Sequence, residues 1–86
     1  MARFLGPKVN GIDYKKLDER RKVLGLSVNL LSNRAGIVNT RMATMLKGES
    51  PWRVKDVQKV LEVLKVDAED VIADEVVLSN YYEEIK

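Results

Sequence analysis

The strongest constraint on this chain lies between Leu26 and Gly48, in the stretch LSVNLLSNRAGIVNTRMATMLKG. Its apolar residues Leu31, Ala35, Ile37, Met42 and Met45 follow one another at intervals of 4, 2, 5 and 3. No single helix or strand repeats in that way, because a helix returns to one face every three or four residues and a strand every two. A turn inside the stretch resolves the pattern. Leu31 and Ala35 then share a face of one short helix, Gly36 takes the positive φ that ends it, and Met42 and Met45 share a face of the next. Ile37 fills the elbow, and the two apolar faces can meet at a steep angle.

The rest of the chain reads as support for this pair. Asp13 is positioned to cap a helix from about Tyr14 to Leu24, with Tyr14, Leu17, Arg21 and Leu24 along one side. Gly25 ends it and Leu26 supplies the hydrophobic contact beyond the end. Ser27 caps the first helix of the pair, about Val28 to Ala35, and the second runs from about Asn39 to Lys47 and stops at Gly48. Ser50-Pro51 marks a loop. The spacing of Val54, Val57, Val60, Leu61 and Leu64 predicts a fourth helix to Lys65 that covers the pair. Asp67 and Asp70 read as the cap and acidic first turn of a fifth, through Val71 and Ile72. Gly6-Pro7 and Asn10-Gly11 make residues 1–12 an N-terminal arm, which Phe4, Leu5, Val9 and Ile12 could tether to the core. In residues 74–86, Val76-Val77-Leu78 and Tyr81-Tyr82 suit a strand, whereas the spacing of Leu78, Tyr82 and Ile85 suits a helix, which is the reading preferred. The expectation is an all-α fold: a five-helix domain over residues 13–73, with an arm before it and a C-terminal extension after it.

Composition narrows the function classes. With 86 residues the chain makes one domain, and 45% hydrophobic residues suffice for a small core. It has neither Cys nor His, so a disulfide framework is impossible and a metal site is not expected. The same absences, and the lack of serine-hydrolase, Walker or Gly-rich dinucleotide patterns, argue against an enzyme, and no cofactor or small-molecule ligand is expected. No apolar run approaches the roughly 20 residues of a membrane span, and the start is too short for a signal peptide, so a cytoplasmic location is expected. Charge is unevenly spread: residues 1–65 carry fourteen cations against six acids, and residues 66–86 carry seven acids against Lys86. A basic body suits a polyanionic partner, although charged, solvated helix faces alone would give part of the same pattern.

Two short helices joined by a tight turn form the helix-turn-helix unit, whose second helix is shaped for a DNA major groove. At Arg21, Gly25-Leu26-Ser27, Leu31, Ser32, Ala35-Gly36-Ile37, Met42, Met45, Gly48 and the ending from Val66-Asp67 to Val71-Ile72, the chain resembles the phage-repressor-like family that includes Cro and the lambda repressor. The similarity covers roughly Leu17 to Ile72. It departs at three places. Val28 stands where the family often has a phosphate-binding Gln that braces the recognition helix, so that interaction is expected to be missing. Val38 replaces the usual Ser or Thr cap, which weakens the start of that helix by ~1 kcal/mol unless Asn39 caps instead. Arg20 lies where many members are apolar, and Val23 and Leu24 are expected to take over its packing.

A helix entering the major groove by its N-terminal end presents its first two residues and then its fifth and sixth. Here those are Asn39, Thr40, Ala43 and Thr44, with Arg41 nearby; Asn39 suits adenine, the two threonines a hydrogen bond or a thymine methyl, and Arg41 guanine or a phosphate. Ser27, Arg34, Lys47, Ser50, Trp52 and Arg53 are the candidates for backbone contacts, with packing over the loop the preferred reading of Trp52. Arg3 and Lys8 could reach DNA from the arm. The family resemblance implies a sequence-specific transcriptional regulator, a repressor of phage, mobile-element or bacterial type, bound to double-stranded DNA. It also implies a homodimer on a pseudo-palindromic site. Val76, Val77, Leu78, Tyr81, Tyr82 and Ile85 are the candidate dimer contacts, unless the tail folds over its own core. The competing class is a protein-interaction module, such as an antitoxin or anti-repressor, on the same scaffold.

Overall fold

Three helices of this chain begin on a side-chain cap, and local chemistry also ends the second. The computed structural model describes residues 8–85. Among them are six helices and no strand: α1 (Tyr14–Val23), α2 (Val28–Ala35), α3 (Asn39–Leu46), α4 (Val54–Leu64), α5 (Ala68–Val71) and α6 (Glu75–Glu84). Asp13 accepts from the Lys16 N–H at 3.0 Å, Ser27 from the Leu30 N–H at 3.0 Å, and Asp74 from the Val76 N–H at 2.8 Å. Each of these side chains satisfies a donor that a helix start would otherwise leave unpaired. At the end of α2, Gly36 is left-handed (φ 69°), and the Ile37 N–H closes back on the Ser32 carbonyl at 3.0 Å. That closure reverses the chain within two residues and sets α3 against α2.

The core collects the apolar face of every helix. Leu17 of α1, Leu31 of α2, Met42 and Met45 of α3, and Val57, Val60 and Leu64 of α4 are fully buried. Helix α4 packs against both α1 and α2, and α3 packs against α1 and α2. Ser32 is also buried, and its hydroxyl donates to the Asn29 carbonyl at 2.7 Å, so this small polar residue costs the interior little. Residues 8–12 are tied to this body. Val9 and Ile12 are buried, the Val9 N–H donates to the Trp52 carbonyl at 2.7 Å, and the Asp13 N–H donates to the Val71 carbonyl at 2.8 Å. Two isolated antiparallel bridges, Lys8 with Arg53 and Ile12 with Ile72, complete the tie. The expected role of Phe4 and Leu5 falls outside the described residues.

Two local expectations are corrected, and the preferred reading of the tail is found. Val23 and Leu24 remain 75% and 41% exposed and do not replace an apolar residue at position 20. Instead the Arg20 Nε–H donates to the Leu64 carbonyl at 3.2 Å, so a cation covers the C-terminal end of α4, where the exposed carbonyls favour it. Asp67 precedes α5 but makes no capping bond, and α5 is a single turn of four residues. The tail forms α6: its helical spacing prevails over its β-branched content once Tyr81 can be buried against the body. The radius of gyration is 12.2 Å, close to the roughly 12 Å expected of one packed unit of this length, so α6 lies on the body.

Gly48, which ends the α3 segment, has φ 77°, and a Cβ built on it would lie 2.5 Å from Cζ of the Tyr14 ring. Gly48→Ala therefore meets two penalties, backbone strain and displacement of Tyr14, and is expected to destabilise by about 2–3 kcal/mol. Gly25 has φ 71° but nothing within 4 Å of a built Cβ, so Gly25→Ala should cost only the strain, about 1 kcal/mol. Urea unfolding of both variants checks this, and equal losses at the two positions would refute the Tyr14 contribution.

Candidate nucleic-acid interface

The amphipathic character of α3 decides which of its residues can meet a partner. Met42, Met45 and Leu46 point into the core, while Asn39 and Thr40 are exposed at its start and Lys47 is exposed just beyond its end. Arg34 of α2 and Ser27 before α2 are exposed as well. The Ser27 oxygen accepts from the Leu30 N–H, which leaves its hydroxyl hydrogen able to donate elsewhere. No acid occurs from Val28 to Lys47, so this segment contributes only cations and neutral groups to the surface.

Four of the sequence candidates are engaged inside the protein. Arg41 forms a two-pronged ion pair with Asp56 of α4; one prong spans 3.5 Å, and the other joins the second nitrogen to the second carboxylate oxygen. The pair locks the first turn of α3 to α4, and it neutralises the one acid that α4 turns inward. Thr44 is half-buried: its hydroxyl donates to the Arg41 carbonyl at 2.9 Å and lies 2.5 Å from the Ser50 hydroxyl. Its carbonyl accepts from the Glu49 N–H at 2.9 Å, so Thr44 and Ser50 together stitch the end of α3 to the loop. Trp52 is 3% exposed, and its indole N–H donates to the Met45 carbonyl at 2.9 Å, which places the ring under the loop and away from solvent. Ala43 is half-buried on the same helix.

The remaining candidates divide by place. Arg53 is half-buried at the start of α4 and its backbone bridges to Lys8, which is itself exposed. Arg3 lies outside the described residues. On α6, Tyr81 is buried, and Val77, Leu78 and Ile85 pack partly against the core, while Val76 and Tyr82 are exposed. The Tyr82 hydroxyl donates to Glu69 at 2.6 Å, and that bond, with some desolvation and the nearby charges of Glu69 and Asp67, pushes its pKa up to about 12. Burial, reinforced by Glu62, raises the Tyr81 pKa as well.

Sequence reasoning missed two residues here. Asp56 escaped notice because a single acid on a covering helix reads as solvated; its partner is 15 residues away and is found only by folding. Lys59 was not singled out, and its amine lies 3.9 Å from a methyl built on Gly36, over the α2–α3 turn. Its signal was the i, i+4 repeat of Lys55 and Lys59, both exposed, which puts two cations on one stripe. Compared with protein-family models, curated proteins and solved structures, the chain has no significant match.

Proposed function

We propose that this chain is a sequence-specific DNA-binding regulator, a repressor of phage, mobile-element or bacterial type, built as a lambda-repressor-like helix-turn-helix domain with α3 as the recognition helix. The observation that carries the reading is the exposed start of α3: Asn39 and Thr40 stand clear of the core in a segment, Val28 to Lys47, that holds no acid and includes the exposed cations Arg34 and Lys47, with Lys59 over the α2–α3 turn. A short helix backed by a left-handed Gly36 turn and a buried Met face suits insertion by its N-terminal end. In this arrangement Asn39 pairs with an adenine edge, Thr40 bonds a neighbouring base, and Lys47, Arg34, Ser27 and Lys59 meet phosphates. Arg41 acts indirectly, by holding α3 on α4. Specificity over more than a few base pairs requires two copies, and a homodimer on a pseudo-palindromic site is part of the proposal.

Selection of bound duplexes from random DNA, followed by mobility shifts at several salt concentrations, tests it. A recurrent site is expected, palindromic if two copies bind together, with affinity falling as salt rises. Asn39→Ala should weaken binding about 5- to 150-fold and relax preference at one position. Lys47→Ala should weaken all sequences alike and flatten the salt dependence by about one counterion. A chain that ignores DNA at low salt would reject this reading in favour of a protein-interaction module.

A further inference from the structure

Helix α3 starts without a side-chain cap. Val38 occupies the capping position with φ −57° and ψ 135°, and no side chain accepts from the first N–H groups of the helix. The starts of α1, α2 and α6 are capped by Asp13, Ser27 and Asp74, whereas α4 and α5 begin, like α3, without a side-chain capping bond. Val38 gives nothing to the core either. It is 70% exposed, whereas Met42, Met45 and Leu46 of the same helix are 7% exposed or less. A β-branched apolar side chain that serves neither helix nor core therefore stands on the surface beside Asn39 and Thr40.

We infer, resting on the DNA-binding reading above, that Val38 is a specificity-determining residue that recognises the C5-methyl group of a thymine. Among the edges that base pairs present in the major groove, that methyl is the apolar feature, and it separates thymine from cytosine. Valine is suited to it. Its χ1 is stiff, so its two methyl groups are held in place and little freedom is lost on contact. The polar neighbours divide the work: Asn39 and Thr40 take donors and acceptors, and Val38 takes the methyl that they cannot distinguish by hydrogen bonding. Serine or threonine at this position would restore the cap and lose part or all of the apolar contact.

The test uses the site recovered by selection, with each thymine replaced in turn by deoxyuridine, which lacks only the methyl. At one thymine per half-site, wild-type affinity is expected to fall about three- to tenfold. Val38→Ser should bind thymine and uracil equally there, while melting about 4 °C higher because the cap is regained. That opposition separates recognition from a structural role, since a side chain needed for folding would lower the melting temperature when replaced. Recovery of a site at which every thymine tolerates uracil overturns the inference and leaves the DNA-binding reading intact. Discrimination that survives Val38→Ser and disappears in Thr40→Ser also overturns it, by assigning the methyl to Thr40. Failure to recover any site removes the DNA-binding reading, and this inference with it.

Discussion

Trp52→Ala is expected to lower the stability of the chain by about 3–5 kcal/mol, a large part of what a domain of this size possesses. The side chain is 3% exposed, and its indole N–H donates to the Met45 carbonyl at 2.9 Å. Its own carbonyl receives the Val9 N–H at 2.7 Å, so the residue joins the end of α3, the Ser50-Pro51 loop and the segment before α1. Removal leaves a cavity where these three meet, and a small core refills it poorly. Trp52→Phe keeps most of the apolar contact and loses one hydrogen bond. The Met45 carbonyl still accepts from the Gly48 N–H at 3.1 Å, so this variant should lose only about 1 kcal/mol. Urea unfolding followed by circular dichroism measures both, since the single tryptophan is gone from each. If Trp52→Ala unfolds within 1 kcal/mol of the parent and instead loses affinity for DNA, the ring belongs to a DNA surface and its burial has been misread.

The second large effect is an asymmetry within the Arg41–Asp56 pair. The two side chains are 33% and 11% exposed, so the members differ in how easily they reach water. Arg41→Ala strands a carboxylate that is nearly buried, at a cost of about 3 kcal/mol. Asp56→Ala leaves a long cation that can swing to solvent, and the loss should be nearer 2 kcal/mol. The double variant should be more stable than Arg41→Ala, because neither charge is then stranded. Denaturant midpoints for the three proteins decide the matter; the account fails if Arg41→Ala proves the milder of the two single changes. Under the proposed function, Asp56→Ala has a further effect with the opposite sign. A released guanidinium beside α3 and one fewer negative charge should raise affinity for non-specific DNA and steepen its salt dependence by about one counterion.

What the sequence shows depends on how far apart the interacting residues lie. The span of α2 and the start of α3 follow from Ser27, Gly36 and the Leu31–Ala35 and Met42–Met45 pairs, all within one turn of the feature that they determine. The Arg20–Leu64 and Arg41–Asp56 contacts join residues brought together by the packing of α4, and no periodicity announces them. The same distance effect governs the candidate site. Exposure of Asn39, Thr40 and Lys47 could be read from helical spacing. The commitment of Arg41, Thr44 and Ser50 to internal partners could not, because hydroxyl and guanidinium groups look alike in sequence whether they face water or a neighbour, whereas the packing of Trp52 over the loop was the preferred reading. The choice for the tail between a dimer contact and its own core stayed open in the sequence for a related reason: Tyr81 has a place in the core only after Val9 and α4 have made one.

The two isolated bridges have a consequence for how copies of this protein can meet. Pairing Lys8 with Arg53 and Ile12 with Ile72 uses extended backbone in single-residue contacts, and neither grows into a ladder. A strand edge offers a row of unpaired N–H and C=O groups that another chain can extend. Among the described residues no such row exists, so strand addition, the common route by which small proteins join edge to edge and aggregate, has no starting point. Among the described residues, the surfaces open to a second copy are helix faces and loops.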